Sequence, residues 1–153
     1  MSEYDISHLK PHTVIYIIPP DAKKNRGELK CHVMVSYSDH CYTKAVGDAT
    51  QREFDLTRYE LSKNLPEIIS GLMSRKCSFA LDRNFFTVES KERGEYEIYF
   101  SVYKNSFGKM ALRVQSAYIR DKERLLGRAK WRTINFSTIL SNVLYNKPMR
   151  PPR

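Results

Sequence analysis

Residues 96–119 constrain the fold more than any other stretch. In YEIYFSVYK the side chains of Tyr96, Ile98, Phe100 and Val102 share one phase, and KMALRVQSAY repeats the pattern with Met110, Leu112, Val114, Ser116 and Tyr118 in phase and Arg113 and Gln115 out of it. Side chains along a strand point alternately to its two faces, so each run reads as a strand with one buried side. The connection between them, NSFGK, is short and contains a glycine. It closes as a hairpin loop and has no room for a crossover, which makes the two strands antiparallel.

The rest of the chain supplies further elements. TVIYII, residues 13–18, is a β-branched and aromatic run stopped by Pro19 and Pro20. DAKKNRGE follows as a charged turn, and then KCHVMVSY alternates, with Val33, Val35 and Tyr37 on one side and His32, Met34 and Ser36 on the other. These runs are expected to pair as a hairpin. The polar stretch KAVGDATQRE reads as a surface loop. Thr57 and Glu60 have capping-box spacing, and Leu61, Leu65, Ile68, Ile69 and Leu72 recur at helical intervals with Pro66 interrupting them. A helix near 57–63 and a second near 65–75 are predicted, since proline suits a first turn and breaks an interior.

CSFALDRNFFTVES is strand-like around a DRN turn. Phe136, Ile139, Leu140, Val143 and Leu144 form the tightest helical pattern in the chain, with Asn135 or Ser137 placed to cap it. The order ββααβββα groups strands and helices instead of alternating them. It predicts an α+β fold, an antiparallel sheet of about five strands with helices packed on one face. One domain would span residues 1–146, and NKPMRPPR would leave a basic, proline-rich tail at 147–153.

A chain of 153 residues with 41% hydrophobic content can bury a real core. No apolar run approaches the roughly 20 residues that cross a bilayer, and MSEYDISHLKP lacks the order of a signal peptide. A soluble, cytoplasmic protein without a membrane partner is expected. Cys31, Cys41 and Cys77 are odd in number and include no CxxC pair, so reduced thiols are the expectation. On one extended strand His32 and His40 would lie about 26 Å apart at roughly 3.3 Å per residue, too far to share a metal. Walker, dinucleotide-glycine, HExxH and GxSxG motifs are absent, as is a paired-carboxylate motif. No cofactor or metal is expected.

Charge points to a partner. Of a net +9, seven charges fall in residues 120–153. Cations gathered this way attract polyanions and release their condensed counterions. Lys122, Arg124, Arg128, Lys130, Arg132, Lys147 and Arg150 are candidate phosphate contacts, and Trp131, flanked by cations, is placed to stack on an unpaired base. Nucleic acid, with RNA favoured, is the leading partner class. An acidic protein such as an antitoxin is the other.

Reactive side chains concentrate in three places. YSDHCYT offers His40 as a proton-transfer group beside Tyr42 and Thr43; RYELS places Arg58 and Ser62 one helical turn apart; SAYIR carries Ser116, Tyr118 and Arg120 where a strand meets the basic segment. The plain alternatives are a polar turn, a solvated helix face and a strand end whose tyrosine packs on the core.

YSDHCYT, followed by RYELSKNLP, RNFFTVE and VQSAY, resembles uncharacterised small bacterial proteins associated with mobile elements, over roughly residues 31–120. More distantly, helices followed by an antiparallel meander and basic groups resemble the barnase, EndoU, colicin-nuclease and RelE group of ribonucleases. That resemblance implies polar residues carried by a sheet around a scissile phosphate. Two functions follow as expectations: a metal-independent endoribonuclease of toxin or phage-defence type, using His40 with Arg58 or Arg120, or a binding module without chemistry that uses the basic carboxyl-terminal third.

Overall fold

The central hairpin forms as its alternation requires. In the computed structural model, which describes residues 4–47, 51–79, 86–90, 96–119 and 132–148, strand β7 (Tyr96–Lys104) pairs antiparallel with β8 (Met110–Ile119). Asn105 ties the connecting loop, its side chain accepting from the N–H groups of Phe107 and Lys109, and Gly108 takes a positive φ of 75°.

The first hairpin also forms, β1 (His12–Ile18) against β2 (Leu29–Tyr37), with Val14 opposite Val33. Its placement departs from expectation. β2 lies parallel to β8, with Val35 beside Leu112 and Tyr37 beside Val114. The described residues build a mixed seven-stranded sheet in the order β1-β2-β8-β7-β6-β5-β9, in which β5 is Lys76–Phe79, β6 is Phe86–Ser90 and β9 is Thr133–Asn135. This overturns the expected five-stranded antiparallel sheet with helices on one face. Alternation reports which residues form a strand and which side is buried, but not its neighbour, and the long crossover from β2 to β8 has no local signature.

KAVGDATQRE is likewise more than a loop. It contains a separate two-stranded ribbon, β3 (Thr43–Val46) and β4 (Gln51–Phe54), in which Ala45 faces Arg52 and Thr43 faces Phe54. Helices α1 (Leu56–Ser62), α2 (Leu65–Ser70) and α3 (Phe136–Leu144) occupy the predicted stretches. The cap of α1 is Asp55, whose carboxylate accepts from Arg58 N–H at 2.9 Å, in place of the Thr57–Glu60 box. Asn135 stands at the N-cap of α3 without a side-chain cap bond.

The core runs along one side of the sheet through Tyr16, Val33, Leu112, Ile98 and Phe100 and is closed by Leu65, Ile69, Phe136, Ile139 and Leu140. Tyr16 donates its hydroxyl to the Ile69 carbonyl, which joins β1 to α2. All three cysteines are free and buried. No helix among the described residues is long and apolar enough to cross a membrane.

Candidate functional site

The site lies where β2 parts from β8. Pairing between them ends at Tyr37 and Val114, and Ser38 makes the last contact through its N–H to the Val114 carbonyl at 2.9 Å. A 3₁₀ turn, Asp39–Cys41, then turns the chain away. Its sequence explains the turn: Ser38 caps it by accepting from His40 N–H at 3.1 Å, and the Cys41 side chain, 0% exposed, plugs into the core against β8. With Ser38 and Cys41 anchored, the intervening His40 projects outward, partly exposed.

On β8 the matching event is a bulge. The register passes from Phe100↔Val114 to Tyr99↔Ser116, so Gln115 is the extra residue. Ala117, 0% exposed, therefore takes the core phase. Ser116 and Tyr118 leave the phase of Met110, Leu112 and Val114 in which the sequence places them, and Tyr118 stacks on Tyr99 at 5.8 Å between centroids. A bulge re-aims the side chains that follow it, and here it turns a hydroxyl and a phenol out of the core.

Between these two deviations opens a pocket of about 360 Å³ lined by His40, Ala45, Arg52, Arg58, Ser116, Tyr118 and Ile119. Sequence-predicted residues from three separate stretches meet in it. Arg58 lies over the Tyr118 ring at 5.1 Å and donates to the carbonyls of Thr43 at 2.6 Å and His40 at 3.3 Å. Thr43 does not line the pocket but organises it. Its hydroxyl donates to the Asp39 carbonyl at 2.9 Å and accepts from Arg52 Nε at 2.9 Å, while its carbonyl also receives Arg52 Nη2 at 2.8 Å.

Both guanidinium groups are thus held by neutral oxygens, those of Thr43 and, for Arg58, the His40 carbonyl as well. Neither has a carboxylate at ion-pair distance among the described residues: Asp55, the nearby acid, is occupied by the α1 cap and by Lys44 at 3.6 Å. Among the described residues, then, no carboxylate sits at ion-pair distance from either guanidinium group. Their positive charge acts on His40, whose imidazole is held below the ordinary histidine value by partial burial first and then by Arg52, with Arg58 and Arg113 adding to it; Asp39, 3.9 Å from the ring, opposes the shift. Arg58 is itself pushed down, chiefly by burial and next by Arg52. Cys41 is no nucleophile here, since burial pushes its thiol up to about 12.

Two predicted site residues fall elsewhere. Ser62, 0% exposed, donates to the Tyr59 carbonyl at 2.6 Å and shares a 2.8 Å hydrogen bond with His8 Nε2, so it ties α1 to the amino-terminal segment and does not face Arg58's pocket. A seven-residue helix turns Arg58 to one side and packs its last residue inward. Tyr42 is half-buried against the core cluster. Arg120, Lys122, Arg124, Arg128, Lys130, Trp131 and Arg150 lie outside the described residues. Arg132 and Lys147 are exposed and do not line the pocket.

Arg52 is the residue that sequence reasoning missed. Its signal was present: Thr43 and Ala45 share one phase, Arg52 and Phe54 another, and Gly47, at φ +63°, sits between the two runs. The small Ala45 directly opposite leaves the space that the Arg52 side chain needs.

Fold and pocket define a mostly β protein with a mixed seven-stranded sheet and a cationic cavity where β2 and β8 part. The chain belongs to the YjaZ family, whose model matches residues 1–144. It is 27% identical to Protein YjaZ of Escherichia coli (strain K12), in a match covering 97% of this chain and 88% of that protein. No solved structure matches.

Proposed function

We propose that this pocket binds a phosphodiester of RNA and cleaves it without a metal ion. The observation that carries the reading is the meeting of His40, Arg52, Arg58, Ser116 and Tyr118 in one cavity, with two guanidinium groups that no described carboxylate neutralises. Arginine forks match nonbridging phosphate oxygens, and hydroxyls complete the hydrogen bonds. The 2′-hydroxyl adjoining the bound phosphate attacks phosphorus and gives its proton to the His40 ring, which partial burial first and then the surrounding cations favour in the neutral form that can accept it. The new 2′-O–P bond forms as the 5′-O–P bond breaks, the departing 5′ oxygen takes a proton from water at the open mouth, and Arg52 and Arg58 stabilise the charge on the equatorial oxygens. A 2′,3′-cyclic phosphate and a 5′-hydroxyl result. The cytosol, where buried free thiols remain reduced, suits this role.

The test is incubation of purified protein with end-labelled RNAs of varied sequence in EDTA, beside His40→Ala and Arg58→Ala. Cleavage to cyclic-phosphate ends that disappears in His40→Ala supports the reading. Salt-sensitive binding that survives His40→Ala with no cleavage by any form would leave a binding module, and absence of both would discard RNA.

A further inference from the structure

A second cleft, of about 380 Å³, shares no lining residue with the first and lies between the turn that follows β1 and the polar flank of α3. Lys23, Lys24 and Arg26 stand on one side of it, and Ser137, Thr138 and Ser141 on the other.

The turn is built to present its cations. Pro19 and Pro20 end β1, and Asp21 and Arg26 exchange backbone hydrogen bonds of 2.8 and 3.0 Å that close the loop. Asn25 takes a left-handed φ of 50° within it. The one acid lining the cleft, Asp21, spends its carboxylate on the loop itself, accepting from the N–H groups of Lys23 at 3.0 Å and Lys24 at 3.4 Å. It forms no ion pair with the side chains it displays, and none of Lys23, Lys24 and Arg26 has a carboxylate at ion-pair distance among the described residues.

Arg26 is the centre of the arrangement. Its guanidinium donates to the Pro19 carbonyl at 3.3 Å and, more weakly, to the Ser141 hydroxyl at 3.5 Å, while its Nε is buried with no hydrogen-bond partner among the described residues. A buried donor without an acceptor is costly to keep, and the charge it belongs to has no carboxylate at ion-pair distance among the described residues. Across the cleft, Ser137 and Thr138 on the first turn of α3 bring hydroxyl donors to the same space.

We propose that this cleft is a phosphate-binding site, recognising either a free phosphate or phosphomonoester or a phosphodiester of a bound strand. It stands apart from any chemistry at His40. The experiment titrates the ¹⁵N-labelled full chain with inorganic phosphate and, separately, with a short single-stranded RNA lacking terminal phosphates, against chloride at matched ionic strength. The expected result is saturable amide shifts in 22–26 and 137–142 that persist in His40→Ala and weaken roughly tenfold in the double variant Lys23→Ala/Lys24→Ala, whose side chains are exposed and spare the fold. Arg26→Lys, which keeps the charge and loses the fork, weakens binding severalfold. Shifts with inorganic phosphate identify the free or monoester form; shifts with RNA alone identify the diester. No shift with either ligand, an equal shift with chloride, or undiminished binding in the double lysine variant would overturn the proposal.

Discussion

The two halves of β8 have the same backbone and opposite surroundings. From Met110 to Val114 the strand lies between β2 and β7, and Leu112 and Val114 are wholly buried. From Ser116 to Ile119 it keeps β7 on one side, while the side that β2 has left gives onto the pocket. The first half is paired on both sides and has few polar side chains, so it contributes stability. The second inherits that rigidity and has a free flank on which to use it. A functional group is best placed on a rigid element just where the element runs out of partners.

The contrast predicts different damage in the two halves. Leu112→Ala, in the enclosed half, should cost about 2–5 kcal/mol of stability, the usual range for a buried leucine, measured by denaturant unfolding. Loss of RNA binding at temperatures where this variant is still folded would show that the halves are not separable. Arg58→Ala should do the reverse, lowering RNA affinity or turnover roughly 100-fold with a smaller change in the unfolding midpoint. Arg58→Lys should recover only part of that loss, because an ammonium lacks the planar fork that leaves further N–H groups for a phosphate while Nη1 is held by the His40 and Thr43 carbonyls.

Asp55→Ala tests the scaffold between the halves. It removes the α1 cap and the Lys44 partner, for about 1 kcal/mol in unfolding. The smallest effect should come from Thr43→Val, which deletes the hydroxyl that receives Arg52 and leaves the carbonyl. A severalfold weakening that Thr43→Ser restores would assign Thr43 the positioning of Arg52.

Protonation sharpens the same distinction. With His40 held below the ordinary histidine value, cleavage should climb as pH rises through that lowered value and level off above it. Binding of the anion should run the other way and tighten as the ring gains its proton. A pH profile of cleavage that is unchanged in an active His40 variant would remove His40 from the chemistry.

What the sequence revealed follows from where information resides in it. The strands at 96–104 and 110–119 and the helix at 136–144 announce themselves by periodicity, because their burial is one-sided and local. The β2–β8 pairing has no such signal, and the α+β antiparallel expectation failed there. The single extra residue at Gln115 also escaped, since alternation was read straight through it. Ser116, Tyr118, His40 and Arg58 stand out in the sequence by chemical type, and all four line one pocket. Ser62 was misplaced because helical spacing gives a face without saying what that face meets. Arg52 was overlooked because a four-residue ribbon strand is too short for its pattern to stand out from a loop.

Joining β2 to a strand so late in the chain has a consequence for biosynthesis. Fifty-eight positions separate Arg58 from Ser116, and a ribosome moving at about 5–20 residues per second needs several seconds to cross that interval. Throughout it the nascent polypeptide carries His40, Arg52 and Arg58 but not the wall they work against. A product truncated before β8 would hold those basic side chains and no cavity, so the pocket comes into being only once β8 has been made.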